Sequence, residues 1–227
     1  MKNATTLACS TLAFGLVAAP AMAEKGTQIV KSGYAYTQYN NSSSELSGPA
    51  TPGGITAEAK DHGVLALTYE YFVTDHWSLQ LAGGLPPTVK LVALGTAAQL
   101  GEVGETTAVF PGFMALYNHN FGNNFTVYGG GGFNYTLFTD SDTFANYDEA
   151  FGGNSRVDID DSFGGLLKVG ASYHLNDRWL LDVSYSRYWI TADATITTDT
   201  AGVGDIARTI EVDVDPNVYS VLIGFKF

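Results

Sequence analysis

Residues 219–227 read YSVLIGFKF. In an extended chain successive side chains point to opposite faces. Tyr219, Val221, Ile223, Phe225 and Phe227 therefore share one side, and Ser220, Leu222, Gly224 and Lys226 share the other. The first side is a bulky apolar band with aromatic ends; the second is mixed. A strand in a water-soluble sheet would bury the apolar side and be followed by a polar stop, yet this stretch closes on an aromatic. An apolar band turned to lipid, with a filled or wet lumen behind it, is the pattern of an outer-membrane β-barrel strand.

The other end of the chain fits an exported protein. Residues 1–23 combine a basic start at Lys2, an apolar run from Leu7 to Ala19 and the small-residue cleavage pattern Ala21-Met22-Ala23, which reads as a cleaved secretory signal. Residues 24–227 then form one domain. Cys9 lies inside the signal, so the exported part has no cysteine, which excludes a disulfide-stapled fold and a thiolate nucleophile. Removing the signal takes away Lys2 alone, leaving 10 basic against 23 acidic residues, a net charge of −13. Such acidity argues against nucleic-acid binding, which needs a basic footprint. No exported stretch reaches the ~18 uncharged apolar residues of a spanning helix.

Turn signals cut this domain into hairpins. Short polar turns at Val73-Thr74-Asp75-His76, Gly122-Asn123-Asn124 and Asn176-Asp177-Arg178 alternate with longer polar segments near 39–61, 86–106, 139–161 and 192–209. Short turns on one side and long loops on the other match the periplasmic and extracellular ends of a barrel. Eight antiparallel strands result, at 28–38, 62–72, 77–85, 107–121, 125–138, 163–175, 179–191 and 210–227. Along these strands one face is apolar, as with Leu65, Leu67, Tyr69 and Tyr71, while the charges fall on the other. A soluble sandwich would show its polar face outward. Aromatics near the short turns (Tyr71, Phe72, Trp77, Phe121, Phe125, Tyr173, Trp179 and Phe227) suit a membrane interface.

The inward face holds two populations. Lys31, Glu70, Lys168, Asp182 and Lys226, with His174, collect toward the periplasmic end. Buried charges must pair or carry a heavy penalty, so a salt-bridged plug is favoured over an ion-selecting constriction. Higher up the inward side is apolar: Met114, Leu116, Leu166, Tyr188, Ile190 and Leu222, with Phe110 and Phe138 near the mouth. A path for greasy solutes and a packed core fit these residues equally. The acidic loop containing Asp158, Asp160 and Asp161 lacks the glycine turn and final glutamate of an EF-hand, so no metal site is expected; its acids suit solvent or ion-bridged lipopolysaccharide. Ser172, His174 and Asp182 share the interior, but no Gly-x-Ser-x-Gly elbow occurs, and no enzyme activity or cofactor is expected.

Five segments carry a family resemblance. YGGGGFNYT (128–136), IDDSFGG (159–165), NDRWLL (176–181), EVDVDPNV (211–218) and LGEVGET (100–106) resemble stretches of the OmpW-type small outer-membrane barrels. That resemblance implies a monomeric barrel that is inserted by the barrel-assembly machinery through its C-terminal strand and sits among outer-membrane lipid and lipopolysaccharide. It also implies a passive conduit for small hydrophobic or amphipathic molecules, released sideways into the bilayer. Two places depart from the family pattern: Phe110-Pro111-Gly112 stands where Leu-Pro-Pro is expected, with Leu85-Pro86-Pro87 one strand earlier, and Ser184 and Ser186 replace bulkier inward aromatics. The alternative is a barrel that transports nothing and supports envelope integrity or surface attachment.

Overall fold

A computed structural model describes residues 24–122 and 124–227; the signal segment 1–23 and Asn123 of the second short turn lie outside the described residues. The chain runs through β1 (Gln28–Gln38), β2 (Ser42–Ser43), β3 (Ile55–Ala59), β4 (His62–Phe72) and β5 (Trp77–Gly84). Then come β6 (Thr88–Gly95), β7 (Glu102–Val109), β8 (Gly112–Phe121) and β9 (Phe125–Thr143). A short helix, α1 (Ala145–Phe151), precedes β10 (Ser155–Ile159), β11 (Ser162–His174) and β12 (Trp179–Tyr188). The last strands are β13 (Thr191–Thr200), β14 (Gly204–Asp213) and β15 (Asn217–Lys226).

Eight of these strands close a ring. Antiparallel ladders join β1 to β4, β4 to β5, β5 to β8 and β8 to β9. They continue from β9 through β11, β12 and β15 back to β1. Closure pairs each ring strand on both sides, apart from a short break past the end of the β5–β8 ladder, as lipid demands because it offers no hydrogen bonds to unpaired backbone. Facing follows from the alternation. Leu65, Leu67, Leu79, Phe133, Leu167, Val183, Val221 and Ile223 stand outward, whereas Lys31, Thr68, Glu70, Gln80, Asn118 and Asp182 are buried inside. In water that apolar outer wall would exceed any tolerated surface patch; against lipid it is the matched surface.

Local chemistry fixes the short turns. The Asn176 side-chain oxygen accepts from the Arg178 and Trp179 N–H groups, both at 2.9 Å, and Thr74 Oγ1 accepts from the Trp77 N–H at 2.9 Å. The glycine run of β9 serves close approach: a Cβ on Gly130 or Gly132 would run into the carbonyl oxygen of Ala115 or Phe113 on β8.

Several boundaries differ from the sequence expectation. The strand expected at 107–121 is two strands, β7 and β8, broken at Phe110-Pro111, where proline supplies no N–H for a ladder. The strand expected at 210–227 likewise breaks around Pro216 into β14 and β15. Phe72, expected in the outer aromatic belt, points inward and packs with Ile29 and Leu180 at the periplasmic end, because it shares Glu70's face. The long polar segments also contain strands, and 86–106 and 192–209 are mostly strand. In Thr191–Thr200, Ala192, Ala194, Ile196 and Thr198 turn to one side, a period-two pattern hidden in a threonine-rich composition. These strands build two sheets above the membrane wall. The upper part of β9 continues into β7, β6 and β3, and opposite it lies β10-β13-β14-β2.

Candidate functional site

The lumen is filled from the periplasmic end. Above the apolar cap of Ile29, Phe72 and Leu180 lies a network of buried polar groups. Lys31 Nζ reaches Glu70 Oε2 at 3.0 Å and Asp182 Oδ2 at 2.9 Å, with all three side chains at most 2% exposed. Tyr128 donates its hydroxyl to both Asp182 oxygens (2.9 and 3.0 Å), and Ser172 donates to Asp182 at 2.6 Å. Ser78 and Gln80 donate to Glu70 at 2.6 and 3.2 Å, and Lys168 donates to Gln80 Oε1 at 2.7 Å. Strands β1, β4, β5, β9, β11 and β12 are thereby stitched together across the lumen. Two lysines balance two carboxylates, so the cluster offers an ion no sign preference. His174 pairs with Thr126 rather than with Ser172, whose proton goes directly to Asp182; no histidine relays between that hydroxyl and that acid.

Over the network sits a layer of buried apolar side chains. Leu116, Leu166 and Leu222 are each at most 2% exposed, and Met114 joins them. Beside and above this layer the interior opens into a chamber of about 130 Å³ with a mixed lining: Ala35, Ala66, Phe110 and Tyr188 border it, and so do Thr37, Thr68 and Lys168 of the network. Phe110 and Tyr188 meet edge to face, with ring centroids 5.8 Å apart.

The chamber reaches the barrel wall at a defect. The β5–β8 ladder ends at Ala82 opposite Gly112, and pairing resumes only where the Ala108 N–H donates to the Pro87 carbonyl. Among the described residues no backbone hydrogen bond joins 83–86 to 109–111. Pro86, Pro87 and Pro111 have no N–H to give. Ala82, Gly83, Gly84, Leu85 and Pro111 border the inner chamber and also an outer groove with Leu65, Leu67 and Tyr69 on the lipid side. Leu-Pro-Pro, just after β5, and Phe-Pro, just before β8, are thus the two lips of one gap.

A second chamber of about 110 Å³ lies above, between the two extracellular sheets. Its walls are almost wholly apolar and include Ile55, Val89, Leu91, Phe138, Ile196 and Ile210, while Ala108 borders both chambers. The sheet of β7, β6 and β3 is braced on its outside. Glu102 accepts from Lys60 and Lys90, both at 2.8 Å, and these two ammonium groups hold its carboxyl down at about 2.

A sequence model of the OmpW family matches residues 24–227. The chain belongs to the OmpW family. Outer membrane protein W of Vibrio cholerae is 32% identical to it over 221 residues, covering 93% of this chain and 94% of that protein. The crystal structure of the outer membrane protein OprG from Pseudomonas aeruginosa matches with a TM-score of 0.82 at 28% identity, over 91% of this chain and 98% of that one. A Pseudomonas aeruginosa relative, the dibenzothiophene metabolism operon protein PahQ, is 27% identical over 215 residues, covering 93% of each chain. This OmpW-family chain is therefore an eight-stranded barrel of the Gram-negative outer membrane.

Within this family member the residues singled out from sequence are distributed unevenly. Lys31, Glu70, Lys168 and Asp182 meet in one network, while Lys226 sits half-buried near the end of β15. Phe110 and Tyr188 border the lower chamber and Phe138 the upper. Met114, Leu116, Leu166 and Leu222 border neither chamber; they form the packed floor beneath. Sequence reading missed Ser78, Gln80 and Tyr128 as the bridging donors, and it missed the upper chamber. The signal for that chamber was the period-two placement of Ala and Ile inside segments whose overall composition is polar. Among the described residues no group of three His, Cys, Asp or Glu side chains is placed to hold a metal ion, and the acids of 139–161 are dispersed.

Proposed function

We propose that this barrel is a passive conduit that takes small hydrophobic molecules from outside and delivers them sideways into the outer leaflet. One observation carries the reading: the residues lining the proline-edged gap face the inner chamber on one side and a lipid-facing groove on the other, and Ala108 joins that chamber to the apolar one above it. The route straight down is blocked by the leucine layer, the neutral ion-pair network and the cap at Phe72, which favours lateral exit over ion conduction. Chambers of 110 and 130 Å³ compare with the void of about 150 Å³ that accepts benzene, so a ring or short alkyl segment fits at a time. Burying about 200 Å² of such a solute supplies roughly 5 kcal/mol toward entry. Two relatives named for a dibenzothiophene metabolism operon, whose namesake is a fused apolar ring compound, support this class of cargo. The barrel works as a monomer without catalysis.

The gap can be covered without disturbing the interior, because a Cβ on Gly83 meets nothing within 4 Å. Naphthalene uptake into vesicles carrying the wild type is expected to exceed that of empty vesicles, and Gly83→Trp is expected to return it close to the empty-vesicle rate. Undiminished uptake by folded Gly83→Trp would refute the lateral route.

A further inference from the structure

The upper chamber has an outer mouth with a chemistry of its own. Ile55, Ala97, Leu100 and Phe151 border both the chamber and a more open cavity of about 360 Å³ at the tip of the extracellular sheets. Into this mouth projects Arg208 of β14, only 2% exposed. Its guanidinium lies 4.6 Å over the Phe151 ring, and Phe151 in turn stacks on Tyr147 at 4.4 Å. Arg208 Nε donates to Thr51 Oγ1 at 3.2 Å and Nη1 to Thr198 Oγ1 at 3.1 Å. Among the described residues no carboxylate lies within 4 Å of it; its side-chain partners are these two threonine hydroxyls.

That arrangement is unusual for a chain so rich in acid. A buried cation is expected to be paired, and this chain carries 23 acidic residues that could have supplied the partner. Neighbouring acids are used elsewhere: Asp205 pairs with Arg156 and Asp148 accepts from Thr143. Two hydroxyls at the same place are also unsatisfied. Thr200 Oγ1, on the wall of the mouth, and Tyr147 OH, on the wall of the chamber beneath it, are buried without hydrogen-bond partners. Burial also pushes the Tyr147 phenol up to about 12, so it stays a neutral donor. The mouth therefore presents a planar charged fork and spare hydroxyl donors directly above an apolar cavity. The net negative charge of the loops acts only weakly here, because exposed charges are screened beyond about 8–10 Å.

We infer that this mouth recognises amphipathic anions: a carboxylate held by Arg208 and Thr200, with its apolar body lying past Phe151 into the upper chamber. The fork geometry of arginine suits a carboxylate in two-point contact. The inference rests on the conduit reading for the passage of the solute after binding, and it adds the class of cargo admitted first.

The test uses three probes on the full barrel in lipid nanodiscs, with empty discs subtracted: octanoate, octanol and acetate, by isothermal titration calorimetry. Octanoate is expected to bind about tenfold or more tighter than either octanol, which lacks the charge, or acetate, which lacks the body. Arg208→Gln is expected to erase the advantage over octanol, Arg208→Lys to keep part of it, and Thr200→Val to reduce it severalfold while leaving Arg208 in place. Equal affinity for octanoate and octanol, or an unchanged preference in folded Arg208→Gln, would overturn the inference; so would acetate binding as tightly as octanoate. Should Arg208→Gln fail to fold, an unchanged preference in Thr200→Val together with Arg208→Lys would do the same. Uptake of octanol into vesicles separates the two readings. Protein-dependent octanol uptake without a headgroup preference removes only the mouth. Arg208-dependent octanoate binding without any uptake removes only the conduit.

Discussion

Lys31 holds two carboxylates at once, and its removal should expose how the lumen is held together. In Lys31→Met the Glu70 and Asp182 charges lose a partner 3.0 and 2.9 Å away in a site that is 2% exposed or less. Asp182 keeps the Tyr128 and Ser172 hydroxyls, and Glu70 keeps Ser78 and Gln80. These neutral donors cannot cancel two buried charges. Lys168 is the remaining cation of the network, and it donates to the Gln80 amide oxygen rather than to either carboxylate. Breaking one side of a buried ion pair costs about 3–5 kcal/mol, at least a hundredfold in the unfolding equilibrium at roughly 1.4 kcal/mol per factor of ten. The triple variant Lys31→Met/Glu70→Gln/Asp182→Asn removes the charges together and should recover most of that loss. Urea unfolding of the barrel in lipid vesicles can be followed by tryptophan fluorescence, because Trp77, Trp179 and Trp189 all face outward and leave the lipid on unfolding. A cost below about 1 kcal/mol for Lys31→Met, or a triple variant as unstable as the single, would refute the claim that charge pairing organises this network.

Leu116, wholly buried and bordering neither chamber, should lose about 2–5 kcal/mol of stability as Leu116→Ala. Naphthalene uptake per folded barrel should nevertheless match the wild type, and a fall in that normalised uptake would place Leu116 on the solute path. Glu102 links Lys60 and Lys90 on the extracellular sheet, and its carboxyl is lowered from an ordinary 4.5 to about 2. A lowered acid stabilises above its ordinary value and loses that contribution as pH falls through the folded value. Hydrogen exchange in β3 and β6, corrected for intrinsic chemistry, should therefore rise as pH drops from about 4.5 to about 2 in the wild type and stay flat in Glu102→Gln.

The period-two alternation was sufficient, strand by strand, to divide lipid-facing from inward side chains. YSVLIGFKF alone puts Ile223 outward and Leu222 inward, and the same reading puts Lys31, Glu70, Lys168 and Asp182 on one interior face. Facing is legible because it depends only on neighbours along the chain. Where two inward residues from different strands come to lie is another matter. Lys31 and Asp182 are 151 positions apart, and only the closed register brings the ammonium between two acids. The same closure buried Leu116 and Leu222 in a layer that borders neither chamber, and it brought two proline motifs to the edges of one gap in the wall. It also set Arg208, in a segment that reads as polar loop, over an apolar chamber. Sequence determined the barrel and its two faces; the tertiary structure decided where the chambers and the gap in the wall lie, because voids and gaps are properties of how strands stagger around the ring, and local alternation carries no information about that stagger.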